Sequence, residues 1–532
     1  MRFLILFFWY QIVVKKIFLW LYFWQLKEYR IDRFLEGFKT KKGKNLLFNF
    51  LNFSKIFLFL ISFFSFSLFF FFLFFFYLLE SLKTFKDLLQ LKIKVPVFTK
   101  KIILLTFFSF SFYFFFPLFF FEKEKIFILI LLILDILTPI FVSFLILFFQ
   151  PFVALIKWII CQKAIRKIKD FKNLITIGVV GSYGKTSTKE FLHFILSKKF
   201  PALKTKLHQN NEMGISQTIL NELKKEYKFF VCEMGAYKKG EIEFLCKIVK
   251  PKIGIITGIN PQHLSLFGSF ENLIFGEGGK ELIKSLPQDG LVIFNGNNEI
   301  CLKIFKETKI RKKIVFKGKG GKIENNLQAD LWAENIKVEK EFVSFSIFSK
   351  DGDFAKFKIN LLGEHNVENI LLASCCAKEF GFKLKEISEI CKDLKPLPHQ
   401  MELKKTKNKI NLIDSTYSTN INAIFSHLDY LKVWEKKKII VMPCLIELGK
   451  ESKKVHQKIG EKIGKICDLA IITSKDFFEQ IKKGAKKREI FYFDSENPNL
   501  IFQKLKNFCQ KDDVILLEGR LPTKLVSLLM DL

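Results

Sequence analysis

Ile175-Thr-Ile-Gly-Val-Val-Gly-Ser-Tyr-Gly-Lys-Thr186 is a β-branched run that ends in a glycine loop, a lysine and a threonine. Leu174 to Val180 reads as a buried parallel strand, and Ser187 to Leu196 as the helix that follows it. Between them Gly181 and Gly184 permit a tight turn, so that backbone N–H groups and the helix N-terminus face an anion. In such a cradle Ser182 and Ser187 flank the phosphates of a nucleotide, Lys185 reaches the β/γ-phosphates and the Thr186 hydroxyl holds Mg²⁺. The form is G-x-x-G-K-T, not the strict G-x-x-x-x-G-K-[ST], because Val179 stands five residues before Gly184.

Upstream of this loop the composition changes. The chain has 532 residues and 67 Phe, most of them before residue 150. Ile56 to Leu79 and Ile102 to Phe121 are each close to the roughly 20 apolar residues a membrane-spanning helix needs. Phe127 to Ile160 is longer and is interrupted by Asp135, Pro139 and Pro151; residues 3 to 25 form another apolar block, divided by Lys15 and Lys16. Successive apolar segments without a small-residue cleavage site argue for a multi-pass α-helical membrane region over residues 1–160 and against a signal peptide. A nucleotide site after residue 160 requires that part to be cytosolic, and the Arg- and Lys-rich loop from Lys27 to Lys55 favours the same side. Counting Ile56–Leu79 outward and Ile102–Phe121 inward leaves an even number of crossings for Phe127–Ile160, hence a hairpin broken at Pro139 and Pro151 or a segment that does not cross. That parity puts the loop Lys83 to Lys101 outside, against the positive-inside tendency. Asp135 either marks the turn of such a hairpin or faces another helix, with a lipid or proton site as the alternative.

The net charge of +33 does not indicate nucleic acid. Residues 1–170 carry 24 Lys/Arg against 9 Asp/Glu, a balance that flanks apolar segments and suits anionic lipid headgroups. The remaining lysines are scattered through a part with its own phosphate loop, and no basic-aromatic nucleic-acid module is present. None of the ten cysteines forms C-x-x-C and nine lie after residue 171, which predicts reduced, buried thiols and no zinc site.

After Leu174 the pattern is α/β. Strands at Lys228–Cys232, Ile253–Thr257 and Val292–Asn295 alternate with helical stretches, and a second α/β unit follows Pro396-Leu-Pro398 with strands at Ile410–Ile413, Lys438–Met442, Leu469–Ile472 and Asp513–Leu517. The expected domains are 1–160, 171–396 and 397–532. Glu233, at the end of its strand, is placed as a Walker-B acid beside Thr186.

The run G-S-Y-G-K-T-S-T resembles the nucleotide loop of the Mur ligases, ATP-dependent enzymes of peptidoglycan precursor synthesis. Asn210-Asn-Glu-Met-Gly214, Val231-Cys-Glu-Met-Gly235, Asn260-Pro-Gln-His263 with Phe267-Gly-Ser269, Gly363-Glu-His-Asn-Val-Glu-Asn369, and Glu447-Leu-Gly449 with His456 resemble further family segments in the family's order. The likeness covers roughly residues 171 to 532 and is closest to the MurF type, which joins D-alanyl-D-alanine to a UDP-muramoyl tripeptide. It implies a P-loop central ATPase domain, a C-terminal Rossmann-like domain and an active site between them. It also implies ATP and Mg²⁺ as cofactors, an acyl-phosphate intermediate, and a peptidoglycan precursor and an amino acid or dipeptide as substrates; membrane lipid as a partner is expected from the apolar segments and their basic flanks instead. By position it assigns Lys185 and His263 to catalysis, with Lys280 as a candidate; Thr186, Glu233 and His263 to metal; Asn369 to the adenine and Asp414 to the ribose; and Asn210 and Asn211 to substrate. His365 shapes its turn.

Departures are equally specific. The family's carbamylated lysine lies two residues before a glutamate; counting back from Glu281 puts Gly279 there, with Lys280 one residue off. Gln400 stands where the family has an arginine near the γ-phosphate, Ser415 replaces an acid and Ser418 an asparagine. MurF-type enzymes begin with a soluble uridine-nucleotide domain, where this chain has apolar segments. Two other readings are a membrane-bound ligase of poly-γ-glutamate type and a non-catalytic nucleotide-binding scaffold.

Overall fold

The computed structural model describes residues 2–532 apart from 91, 207, 208, 325, 487, 495 and 496. It has two compact units, Met1–Lys157 and Trp158–Leu532.

The first unit is helical. Among the described residues five helical stretches are long and apolar enough to cross a membrane: Arg2–Leu26, Lys41–Ile61, Phe66–Leu89, Lys100–Leu118 and Glu124–Lys169. Two expectations from sequence are corrected here. The run Ile56 to Leu79 is not one helix, because the chain turns between Ile61 and Phe66, where the Ser65 side chain accepts from Leu68 N–H to cap the next helix. Phe127 to Ile160 is neither a hairpin nor broken at proline; it lies within one helix of 46 residues, Glu124–Lys169, with Pro139 and Pro151 inside it.

The reason Pro139 is tolerated is a tertiary contact. Proline lacks the N–H that would bond the carbonyl four residues earlier. That carbonyl belongs to Asp135, and it accepts from Lys16 Nζ at 3.3 Å instead. Lys16 also pairs with Asp135 Oδ1 at 2.5 Å, and Lys55 bridges Asp135 Oδ2 and Glu80 Oε2, each at 2.6 Å. Asp135 therefore faces other helices. Lys15 pairs with Asp87 at 2.7 Å, so neither lysine interrupts the helix Arg2–Leu26. Around this ionic cluster the interior is apolar, with Trp9, Trp24, Phe69 and Tyr77 buried, and the outer surface is apolar as well, with Phe64, Phe107, Phe115 and Phe144 exposed.

The second unit contains two large sheets. The first has nine strands in the order Phe354–Ile359, Val343–Ser349, Leu331–Val338, Arg311–Lys317, Leu291–Asn295, Ile253–Ile256, Ile175–Val180, Phe229–Glu233 and Ala202–Lys204. Its parallel centre is buried on both faces, which is why those strands read as unbroken apolar runs. The strands from Val343 onward extend the sheet antiparallel, and Phe354–Ile359 alternates exposed and buried as an edge strand does. The second sheet has six strands, Glu402–Lys405, Asn411–Ser415, Val514–Glu518, Lys438–Met442, Leu469–Ile472 and Glu489–Tyr492, parallel except for the first. Strands expected at Lys228–Cys232, Ile410–Ile413 and Asp513–Leu517 lie one or two residues later, because parallel pairing with neighbours sets the ends. The last turns of the long helix join this unit's core through Cys161, Ala164 and Ile168.

Candidate active site

The strand Ile175–Val180 lies third from one edge of the first sheet, between Ile253–Ile256 and Phe229–Glu233, and delivers the glycine loop at its C-terminal end, where open α/β sheets bind ligands. Gly181 has φ +135°, and a Cβ there would lie 2.2 Å from Thr257 Oγ1. Gly184, at φ +74°, caps the helix Lys185–Leu196, and its Cβ would lie 2.6 Å from Asn369 Oδ1. Both positions exclude a side chain on steric grounds and leave the backbone open to an anion.

Thr186 Oγ1 donates to Glu233 Oε2 at 2.9 Å, and Asn210 Nδ2 donates to Glu233 Oε1 at 3.0 Å. This hydroxyl and carboxylate are hard oxygen donors of the type Mg²⁺ takes, and they lie beside a phosphate cradle, so the residues fit a Mg²⁺-nucleotide. Asn369 accepts from Thr188 Oγ1 at 3.2 Å and so packs against the loop. Ser182 bonds the opposite wall, donating its backbone N–H to Gly258 O at 2.7 Å. Ser187 sits half-buried in the first helical turn.

The structure does not bring every expected residue to this place. Asn211 caps the helix Glu212–Glu222 by accepting from Gly214 N–H at 2.9 Å, a local role. Lys280 opens a short helix and points away, pairing with Glu307 at 2.7 Å. Asp414 is buried in the second sheet and is held by His399 Nδ1 at 2.9 Å, Lys404 Nζ at 2.8 Å and the Thr416 hydroxyl at 2.7 Å. Burial alone would raise its pKa, but Lys404, Thr416 and His399 outweigh that and hold it below the ordinary carboxylate value. His399, Glu402 and Asp414 cluster as metal ligands could. Lys404 already offsets one of their two negative charges, pairing with Glu402 at 3.0 Å as well as with Asp414. Gln400 lies in the turn before this strand, its N–H donating to Leu397 O at 3.0 Å. His365 meets Ser426 Oγ at 3.0 Å.

Two residues were missed from sequence. Lys189 is fully buried, donates to Thr205 O at 2.8 Å and lies 3.6 Å from Glu233. Glu277 is 2 % exposed and accepts from Ser182 Oγ at 3.1 Å. Lys189 lies within the helix Lys185–Leu196 and Glu277 in a glycine-rich turn, where a charged residue ordinarily faces solvent, and only the folded contacts distinguish them.

The loop at Asn260–Ser265 joins the two sheets. Asn260 Nδ2 donates to Asn422 Oδ1 at 2.8 Å, His263 Nδ1 meets Glu447 Oε2 at 2.6 Å, and Ser265 N–H donates to Glu447 O at 3.1 Å. His456 supports the loop that carries Glu447. Its Nε2 accepts from Leu445 N–H at 2.9 Å, so Nδ1 carries the proton and donates to Ser452 O at 2.6 Å. Burial pushes this imidazole down from 6.5 to about 4. Its unfolded form binds a proton first, so its contribution is complete above pH 6.5 and is lost as pH falls toward 4, at about 1.4 kcal/mol per pH unit. Thermal unfolding from pH 7 to 5 should fall more steeply for the native chain than for His456→Gln; parallel curves would refute this.

A glycine phosphate cradle, an oxygen pair suited to Mg²⁺ and a second α/β sheet docked beside it define a P-loop nucleotide-dependent enzyme. Family models match in the same places: "Mur ligase middle domain" over residues 179–377 and "Mur ligase, glutamate ligase domain" over 399–521. UDP-N-acetylmuramoyl-tripeptide–D-alanyl-D-alanine ligase of Buchnera aphidicola subsp. Acyrthosiphon pisum is 31% identical over 361 residues, 67% of this chain and 76% of the relative. The enzyme of that name from Bacillus subtilis is 27% identical over 365 residues, 67% of this chain and 75% of its own. The crystal structure of MurF from Acinetobacter baumannii superposes with a TM-score of 0.63 at 25% identity, covering 71% of this chain and 81% of that one. The chain belongs to the Mur ligase family, among its MurF-type members. Mur ligases are ATP-dependent amide ligases, which fits the cradle.

Proposed function

We propose that the protein joins D-alanyl-D-alanine to a muramoyl tripeptide at the cytosolic face of a membrane, with ATP and Mg²⁺. The single observation that carries the site reading is Thr186 bonded to Glu233 beside the glycine loop, on a chain whose MurF-type relatives carry that activity in their names. A carboxylate is a poor acyl donor. Its oxygen attacks the γ-phosphorus of ATP, ADP leaves, and the resulting acyl phosphate is attacked by the amine, which forms the amide and loses phosphate and a proton. The chain's part is mainly positioning and charge stabilisation. Backbone N–H groups of the loop face the phosphates, Lys185 supplies positive charge, and Thr186 and Glu233 would hold Mg²⁺, which when bound neutralises phosphoryl oxygens. The docked loop at Asn260–Ser265 brings the second sheet, and with it the amine, to the acyl phosphate.

The test is phosphate release by the detergent-purified chain, with mass spectrometry of the product. Release that requires both a UDP-muramoyl tripeptide and D-alanyl-D-alanine, with product heavier by the dipeptide less water, supports the reading. Release only with other acceptors would overturn the substrate assignment, and ATP binding with no release under any acceptor would favour a scaffold.

The membrane part of the proposal rests on the five apolar helices and their aromatic exterior. Five crossings with a cytosolic second unit put the loops around Glu28–Thr40 and Lys92–Thr99 inside, together with Lys163, Arg166 and Lys167. Those are the basic segments, so the positive-inside conflict of the hairpin arrangement disappears. All ten native cysteines lie at or after Cys161, so peptide mapping distinguishes a labelled cysteine introduced in the first unit from every native one. Ser62→Cys should react with an impermeant maleimide on intact cells and Lys94→Cys only after permeabilisation; the opposite pattern would refute this orientation.

A further inference from the structure

We propose that Glu277 is a direct ligand for a divalent cation at the phosphate end of the site, in the place of a carbon-dioxide-modified lysine; the proposal rests on the nucleotide-binding reading given above.

An anion stands where a phosphate cradle does not call for one. Every other group on the glycine loop solicits negative charge, yet Glu277 is 2 % exposed with Oε2 at 3.1 Å from Ser182 Oγ and Oε1 at 3.5 Å from Lys185 Nζ. Lys185 also donates to Gly181 O, so in this state its charge is directed at the loop and at Glu277. When phosphate enters the cradle, Lys185 turns to the phosphoryl oxygens, and a buried carboxylate is left facing a second anion. Two anions at that separation in a low-dielectric site repel strongly unless a cation lies between them. Carboxylate and phosphoryl oxygens are the hard donors that Mg²⁺ takes, so the ion that relieves the repulsion also binds the nucleotide.

The local backbone explains why Glu277, and not the nearby lysine, occupies this place. Gly276, Gly278 and Gly279 surround it. A Cβ at Gly278 would lie 2.4 Å from Ile274 O, and one at Gly279, where φ is +87°, would lie 2.6 Å from Ile256 Cδ1. The chain is thus pressed against the strand Ile253–Ile256, and Glu277 projects inward. Lys280 begins the next helix and is turned to Glu307. Carbamylation, in which a lysine amine adds carbon dioxide and loses a proton to become a carboxylate-bearing side chain, is then unnecessary, because Glu277 already presents a carboxylate.

The test uses the full chain in detergent with Mn²⁺ as probe and a non-hydrolysable ATP analogue, read by electron paramagnetic resonance. The native chain should bind one more Mn²⁺ per nucleotide than Glu277→Gln does, Glu277→Asp should retain that ion, and nucleotide should remain bound in all three. Half-saturating Mn²⁺ for phosphate release should rise at least about tenfold in Glu277→Gln. Lys280→Ala should match the native chain, and added or depleted bicarbonate should change neither rate nor Mn²⁺ count. An unchanged Mn²⁺ count in Glu277→Gln, loss of nucleotide together with the ion, or a bicarbonate-dependent rate that disappears in Lys280→Ala would each overturn the proposal. Mn²⁺ binding with the analogue needs no acceptor, so a chain that loses the ion in Glu277→Gln yet forms no amide supports the ligand assignment and counts against the ligase reading alone.

Discussion

Lys185→Ala should lower phosphate release by about 10²–10³-fold or more, the range for removing one preorganised electrostatic contact to a developing charge. Lys185 is the first residue of the helix Lys185–Leu196, and its ammonium is paired with Gly181 O and Glu277 across the loop. Those partners keep the ammonium at the loop before any phosphate arrives, and it exchanges them for phosphoryl oxygens when the nucleotide binds. Because the ammonium contacts phosphate in the ground state as well, half-saturating ATP should rise together with the fall in turnover. Lys185→Arg should not restore the rate, since a planar guanidinium does not present a compact charge in so tight a loop. Unfolding temperature measured beside the kinetics separates this from collapse: the helix keeps its buried face through Phe191, Leu192 and Ile195. A Lys185→Ala chain within threefold of native turnover would remove the central assumption of the site.

Asp135→Leu should be the most destabilising single change in the helical unit. Asp135 and Lys55 are fully buried, and Glu80 and Lys16 are 10% and 18% exposed. Two lysines and two acids are balanced; removing Asp135 leaves an excess positive charge with no water to solvate it. Breaking a buried pair in this way costs about 3–5 kcal/mol. Lys55→Met combined with Asp135→Leu leaves Lys16 and Glu80, whose charges cancel, so the double variant should be more stable than Asp135→Leu alone. Unfolding titrations in mixed micelles give both values, and a double variant less stable than either single one would show that the cluster is not held by charge balance. Lys16 has a further part, because its bond to Asp135 O replaces the one that Pro139 cannot make. Lys16→Met should therefore loosen the long helix near Pro139 as well as unbalance the charge, and hydrogen exchange around residue 135 would report it.

Much of the second unit was legible because its signals are local. A β-branched run, two glycines, a lysine and a threonine specify strand, turn and helix within twelve residues, and the structure places each element there. The Asn210 and Glu233 segments, some 20 residues apart, were also recognisable, and the fold brings them into one hydrogen-bonded set with Thr186. Less was legible where a side chain's role depends on which way it points. Asn211 and Asn210 are adjacent and alike in sequence, but one caps a helix and the other reaches Glu233. Lys280 is the residue type expected there and faces Glu307, while Glu277, which no motif singled out, faces the loop.

Sequence by itself determined the nucleotide cradle, the α/β character of both large sheets and the apolar nature of the first 160 residues, because each follows from short-range sterics and from the periodicity of apolar side chains. Tertiary structure alone decided the course of Glu124–Lys169, the ionic centre of the helical unit and the charge that faces the phosphate loop. Proline predicts a break only while its missing donor goes unreplaced, and the replacement at the Asp135 carbonyl comes from Lys16, 119 residues earlier than Asp135. Likewise, that Glu277 and not Lys280 faces Lys185 depends on a glycine-lined backbone packed against a neighbouring strand, a constraint that appears only once that strand is in place.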